Sequence, residues 1–123
     1  FDSTALESIS VPDSVIEIKN NAFQNSIFLK EINFSDKSEL RFIGKSAFSK
    51  TAITGFFITK KVVQIDSIAF EYCNKLQIIE IQENSILRHL SLNQFHKETP
   101  RVIMVPVELM KNIEIELKYK YVI

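Results

Sequence analysis

The chain has 123 residues, enough for one domain that buries about two-thirds of its unfolded surface without covalent staples. Its 15 Lys and Arg balance its 15 Asp and Glu, so no sequence-wide basic field favours nucleic acid or an anionic membrane as a partner. A single Cys excludes an internal disulfide. The chain also contains no apolar run of about 18 residues, the length that would predict a membrane-spanning helix.

The dipeptide Ala-Phe, or a near relative, returns along the chain at intervals of 22 to 25 residues. Its occurrences are Ala22-Phe23, Ala47-Phe48, Ala69-Phe70 and Gln94-Phe95. A shift of 47 residues superposes the apolar positions of the chain on one another without a gap, for example Leu6 on Ile53 and Val11 on Ile58. Self-similarity at this period predicts a solenoid, in which each unit buries its apolar face against its neighbours.

Units of 23 and 24 residues alternate, and we place them at 6-28, 29-52, 53-75 and 76-99, with a terminal unit or cap over 100-123. Residues 1-123 are thus expected to form a single solenoid. Because Phe1, Ala5 and Leu6 match Phe48, Ala52 and Ile53, we expect the array to extend beyond the first residue.

Each unit begins with a stretch such as Leu29-Lys-Glu-Ile-Asn-Phe34, whose second half alternates with period two and predicts one short parallel strand. The next stretch, such as Val15 to Phe23, has apolar spacings of three and four residues. This spacing predicts a short helical or 3₁₀ turn on the convex side, and hence an α/β fold. Residues 107-113 predict a short capping helix, and 116-122 an edge strand whose Lys118 and Lys120 discourage further pairing.

The first unit of the repeat runs Leu6-Glu-Ser-Ile-Ser-Val-Pro-Asp-Ser-Val-Ile-Glu-Ile-Lys-Asn-Asn-Ala-Phe23, and similar columns recur over nearly all of residues 1-110. This pattern resembles the BspA-like leucine-rich repeat. The resemblance implies a leucine-rich-repeat solenoid from a surface or secreted protein of bacteria or mucosal protists. It also implies adhesion to host proteins or cells as the function.

Residues capable of catalysis are few and scattered. Cys73 occupies a slot that holds Ser26 and Thr51 in neighbouring units, which indicates a structural position rather than a nucleophile. The seven-residue separation of His89 and His96 fits neither a helical zinc pair nor a catalytic triad. We therefore expect no enzyme activity, no metal site and no cofactor.

The outward strand positions are uneven along the array. In chain order they are Ser8, Glu31, Gly55, Ile78 and Val102 at the first site, and Ser10, Asn33, Phe57, Glu80 and Met104 at the second. We name one group of them the concave patch: Phe57, Ile78, Glu80, Val102 and Met104. An exposed apolar cluster with polar neighbours predicts an interface, although the same residues could pack under the C-terminal cap.

These observations favour a non-catalytic recognition module that binds a protein or cell-surface macromolecule through the concave patch. Two alternatives remain open at this stage. The array could be a structural spacer with no binding face, or an appendage of a larger protein whose activity lies elsewhere.

Overall fold

The structure, a computed structural model, describes residues 6–90, 95, 99–115 and 121–122. Within this part of the chain there are eleven short β-strands and one 3₁₀ helix, Val107–Leu109. The strands are β1 Ser8–Ser10, β2 Glu17–Ile18, β3 Glu31–Asn33, β4 Phe42–Ile43, β5 Gly55–Ile58, β6 Gln64–Ile65, β7 Ile78–Ile81, β8 His89–Leu90, β9 Val102–Met104, β10 Glu114–Ile115 and β11 Tyr121–Val122.

The first strand of each repeat joins a parallel ladder along the solenoid, as the period-two alternation predicts. β1 pairs with β3, and β5, β7, β9 and β11 form one four-stranded sheet in that order. The strands pair in register, so Phe56 lies beside Ile79 and Ile79 beside Ile103. All three side chains are buried, while their neighbours along each strand are more exposed. The alternation therefore separates a core face from an outward face.

A second parallel ladder replaces the helical turns that the sequence predicts on the convex side. β2, β4 and β6 pair in register through Ile18, Ile43 and Ile65, and β8 pairs with β10. Backbone hydrogen bonds continue between turns, with the Gly44 amide donating to the Ile18 carbonyl over 2.8 Å. The fold is a parallel β-solenoid of short strands, and the α/β description is not confirmed.

The Ala-Phe segments form tight turns rather than helix. The Ala22 amide donates to the Lys19 carbonyl over 3.1 Å, while the Phe23 amide donates to Ala47 in the next turn over 2.7 Å. An α-helix would satisfy both donors locally. Positive φ angles recur before the alanine and two residues after the phenylalanine, as type II turns require at their third residue. They are found at Asn21, Asn25, Ser46, Lys50, Ile68 and Tyr72.

The repeated phenylalanines form one continuous stack inside the solenoid. Phe23, Phe48, Phe70 and Phe95 lie one above the next, with successive ring centroids 5.3, 5.5 and 5.3 Å apart and nearly parallel planes. Phe56 from β5 contacts Phe48 and Phe70 edge-on at 5.1 and 5.0 Å. Stacked and edge-to-face pairs of this kind add to the free energy gained from burying apolar surface. The aromatic column therefore runs through the core from turn to turn and contacts the first ladder through Phe56.

The C-terminal segment continues the ladders instead of ending them. The predicted capping helix over 107-113 is reduced to the 3₁₀ helix Val107–Leu109, whose Leu109 is buried. β10 then pairs with β8, and β11 pairs with β9. Lys118 and Lys120, which were expected to protect the edge strand, lie outside the described residues.

Candidate functional site

The structure brings the five residues of the concave patch together on the outward face of the first ladder. Two rows run across β5, β7 and β9. Gly55, Ile78 and Val102 form one row, and Phe57, Glu80 and Met104 form the other. Neighbouring strands in such a sheet are about 4.8 Å apart, so each row extends over about 10 Å.

The exposure of the patch is uneven. Ile78 is 42% exposed and Met104 is 39% exposed, whereas Phe57 and Val102 are half-buried and Glu80 is exposed. The described C-terminal segment therefore leaves part of the apolar patch open to solvent instead of covering it. Strands β1 and β3 of the first ladder differ, because their outward side chains are polar and exposed. These side chains are Ser8, Ser10, Glu31 and Asn33.

Two hollows adjoin the patch. The larger, of about 550 Å³, lies between the C-terminal ends of the strands and the segment that leads into the 3₁₀ helix. We call it the groove; it is lined by Phe57, Glu80, Met104 and Val107 among others. A second hollow of about 340 Å³ lies over Gly55 and Ile78, and Phe57 and Glu80 line both. The two hollows are therefore neighbours that share these two side chains.

Several residues of the groove lie outside the predicted concave patch, among them Glu83, Val107 and Glu108. Glu83 follows β7, and Val107 and Glu108 belong to the 3₁₀ helix, so none of them occupies an outward strand position. Val107 is 86% exposed, an unusual degree for a valine next to an apolar patch. The available signal was Pro106, because proline commonly precedes a turn that redirects the chain.

Hydrogen bonds fix one wall of the groove. The Gln82 side-chain oxygen accepts from the Lys60 amide over 2.8 Å, and its amide nitrogen donates to the Asp36 carbonyl over 3.2 Å. Gln82 thereby ties together three successive turns of the solenoid. This wall of the groove is therefore anchored to the two preceding turns.

The sequence profile of the BspA type Leucine rich repeat region matches residues 1–116 of the chain in six copies. The chain belongs to this family. A comparison with curated protein sequences gives no significant match.

Two crystal structures share the fold of this BspA-type repeat. One is the pneumococcal vaccine antigen PcpA, with a TM-score of 0.71, 21% identity, and coverage of 94% of this chain and 26% of that one. The other is a leucine-rich cell surface protein from Faecalibacterium prausnitzii A2-165, with a TM-score of 0.65, 20% identity, and coverage of 82% and 30%. This BspA-type chain thus spans less than a third of the length of either protein.

Cys73 is a structural residue of this BspA-type repeat. Its side chain is fully buried, and its thiol donates to the Phe48 carbonyl over 2.9 Å and lies 3.4 Å from the Thr51 hydroxyl. Burial raises the pKa of the Cys73 thiol, so the reactive thiolate is disfavoured. Ser26 and Thr51 are buried in the same slot of the preceding repeats.

Other chemistry-bearing side chains are dispersed over the repeat array. His89 lies exposed in β8, and His96 lies outside the described residues. Within the described ranges, no three His, Cys, Asp or Glu side chains come together to hold a metal ion. None of the helical segments described in this BspA-type chain has the length and apolarity needed to cross a bilayer.

Proposed function

We propose that this chain is a recognition module of a cell-surface or secreted protein and binds a protein or other cell-surface macromolecule through the concave patch. The observation that carries the proposal is the pair of rows across β5, β7 and β9. They place Phe57, Ile78 and Met104 on the outward face of their sheet, whereas the outward residues of the separate β1–β3 sheet are polar.

Phe57 supports this proposal most strongly. It lies between Phe56 and Ile58, which are 3% and 0% exposed and supply the apolar contacts of this strand to the core. Since Phe57 faces the other way and is half-buried, the core does not require an aromatic residue there. Aromatic and Met side chains supply a large share of the contact energy at protein interfaces. Phe57 and Met104 are therefore our candidates for the anchors.

The family and fold support a surface location and a non-enzymatic role. Repeats of this kind are scaffolds whose stacked strands present an extended face for protein interactions. One structural neighbour is a vaccine antigen and the other is a cell surface protein, which fits the adhesion that we propose for this chain. No cofactor is needed for such binding.

A structural spacer is the main alternative. A spacer has no reason to gather apolar side chains on one outward face, because exposed apolar area promotes aggregation without aiding the stack. The contrast between polar β1 and β3 and apolar β5, β7 and β9 thus favours recognition. The other alternative is an appendage of a larger protein whose activity lies outside residues 1-123.

Substitution of Phe57 by Ser tests the proposal. We expect the melting temperature to stay nearly unchanged, while binding of the labelled chain to epithelial or bacterial cells weakens at least about tenfold, or about 1.4 kcal/mol. Phe42→Ser is the matched control, because Phe42 is 40% exposed on the second ladder. A folded Phe57→Ser variant that binds cells normally would show that the patch is not the site. An unfolded variant would assign Phe57 to the core.

A further inference from the structure

The groove at the C-terminal ends of β5, β7 and β9 combines apolar and acidic side chains. Its apolar members include Phe57, Met104 and Val107, and its carboxylates are Glu80, Glu83 and Glu108. No Lys or Arg is among the residues that line it. The whole chain balances 15 acidic against 15 basic residues, so the groove departs from the average charge of the protein.

The groove carboxylates have no ion-pair partner within the described part of the chain. The ion pairs found there join Lys30 to Glu7 and Lys61 to Glu39, both away from the groove. A free carboxylate on the surface is stable because water solvates it. The same group becomes costly once a partner displaces that water without supplying a counter-charge.

Glu80 is placed where this cost is unavoidable. It lies directly between Phe57 and Met104 in the row that crosses the three strands. A partner that covers both apolar side chains must therefore also cover the carboxylate between them. A wholly apolar partner would leave that charge buried and unpaired, which is strongly unfavourable.

We propose that the partner presents an extended segment in which one Lys or Arg is flanked by apolar residues. The cationic side chain lies over Glu80, within reach of Glu83 or Glu108 at the rim, and the apolar residues cover Phe57 and Met104. This inference rests on the proposed function, since it names the chemistry that the same patch selects.

The dimensions of the patch agree with such a segment. The Phe57, Glu80 and Met104 row extends over about 10 Å, and alternate side chains of an extended peptide are about 6.7 Å apart. Three alternate side chains span about 13 Å, so each outer side chain reaches the end of the row by leaning inward by about 2 Å. Arginine suits the central position best, because its planar guanidinium binds carboxylates through two parallel hydrogen bonds.

Three short peptides that differ at one position test the inference. The probes are acetylated, amidated Leu-Ser-Arg-Ser-Leu, Leu-Ser-Gln-Ser-Leu and Leu-Ser-Glu-Ser-Leu, titrated to about 5 mM into the isotope-labelled chain in two-dimensional NMR. We expect the arginine peptide to shift amide signals of β5, β7 and β9 and to bind about fivefold more tightly than the glutamine peptide. We expect the glutamate peptide to bind weakest. The preference should shrink between about 0.05 M and about 0.5 M salt.

Variants of the chain separate the contribution of the Glu80 charge to peptide binding from that of the apolar contact with Phe57. Glu80→Gln should remove the preference for arginine and raise the affinity for the glutamine peptide, because no unpaired carboxylate is then covered. Glu31→Gln, which alters an exposed outward carboxylate on β3, should keep the preference. Phe57→Ser should weaken the binding of all three peptides to a similar extent.

The outcomes distinguish this inference from the proposed function. If the three peptides bind equally and Phe57→Ser weakens them all, the patch is a binding site but the cationic partner is wrong. If Phe57→Ser weakens none of them, the proposed site itself is wrong. Failure of the arginine peptide to bind at about 5 mM would overturn the inference directly.

Discussion

Phe48 stacks on Phe70 with ring centroids 5.5 Å apart and planes inclined by 7°. Both rings are completely buried, and the edge of Phe56 contacts the two of them from the first ladder. The contact joins residues from successive turns, so it connects the turns as well as filling the core. In a solenoid, where each repeat contacts only its neighbours, such a column transmits stability along the array.

Phe48→Ala is therefore expected to lower the free energy of unfolding by about 3–5 kcal/mol, through lost burial and the cavity left in the stack. Chemical denaturation measures the change. Phe28→Ala is the control, because Phe28 is 51% exposed and its truncation should cost less than about 0.5 kcal/mol. A loss under about 1 kcal/mol for Phe48→Ala would contradict the observed stacking.

The Phe stack and the first ladder were predictable because their signals are local and repeated. Period-two alternation around Ile32 and Ile79 separates the buried face from the outward face without knowledge of the rest of the fold. The second ladder was not predicted. Its strands contain two residues each, too few to show alternation, and spacings such as Val15 to Ile18 also fit a helical turn.

Asparagine residues in the first repeat are a sequence indication of the tight turns. Asn21 and Asn25 adopt positive φ, and Asn tolerates this conformation better than most residues do. In the third repeat the same positions are Ile68 and Tyr72, which give no such indication. Beside them, the Ala69 and Glu71 carbonyls accept hydrogen bonds from the Phe48 and Lys50 amides of the preceding turn, a tertiary contact that local preference does not predict.

For the concave patch, alternation predicted which side chains share a face, and the five residues lie on three adjacent strands of that face. It could not predict the groove. The contribution of Val107 and Glu108 depends on how the chain turns after Pro106, and Glu83 enters from a loop. Neither segment shows the period-two alternation that identifies outward positions on a strand.

The two glycines of the chain should respond oppositely to alanine. A Cβ at Gly44 would lie 2.5 Å from the backbone nitrogen of Asn20 and 2.7 Å from the carbonyl carbon of Lys19. A Cβ at Gly55 would meet only the Ile78 carbonyl oxygen, at 3.6 Å. Neither glycine has a positive φ, so packing decides the outcome.

We expect Gly44→Ala to destabilise the protein by about 1–3 kcal/mol because the backbone of the preceding turn must move. Gly55→Ala should be neutral or stabilising by up to about 1 kcal/mol, since it restricts the unfolded chain. Denaturant unfolding of both variants beside the wild type measures the difference. Equal effects would show that the close approach at Gly44 is not a constraint on the fold.

Cys73 should behave as a structural thiol and not as a reactive one. Because burial raises its pKa above the ordinary 9.0, the neutral thiol should react slowly with a thiol reagent in the folded protein and rapidly in denaturant. Cys73→Ser should fold and bind as the wild type does, within about 1 kcal/mol of stability, because a hydroxyl can also donate to the Phe48 carbonyl.

The raised pKa also sets the sign of a pH effect. Stability from the neutral thiol is complete below the pKa of the unfolded chain, near 9.0, and is lost as pH rises through the higher folded value. The wild type should therefore lose more stability than Cys73→Ser between about pH 8 and pH 10.5, which denaturation at both pH values measures. Rapid labelling of the folded protein, or loss of binding in a folded Cys73→Ser variant, would instead assign the thiol a chemical role.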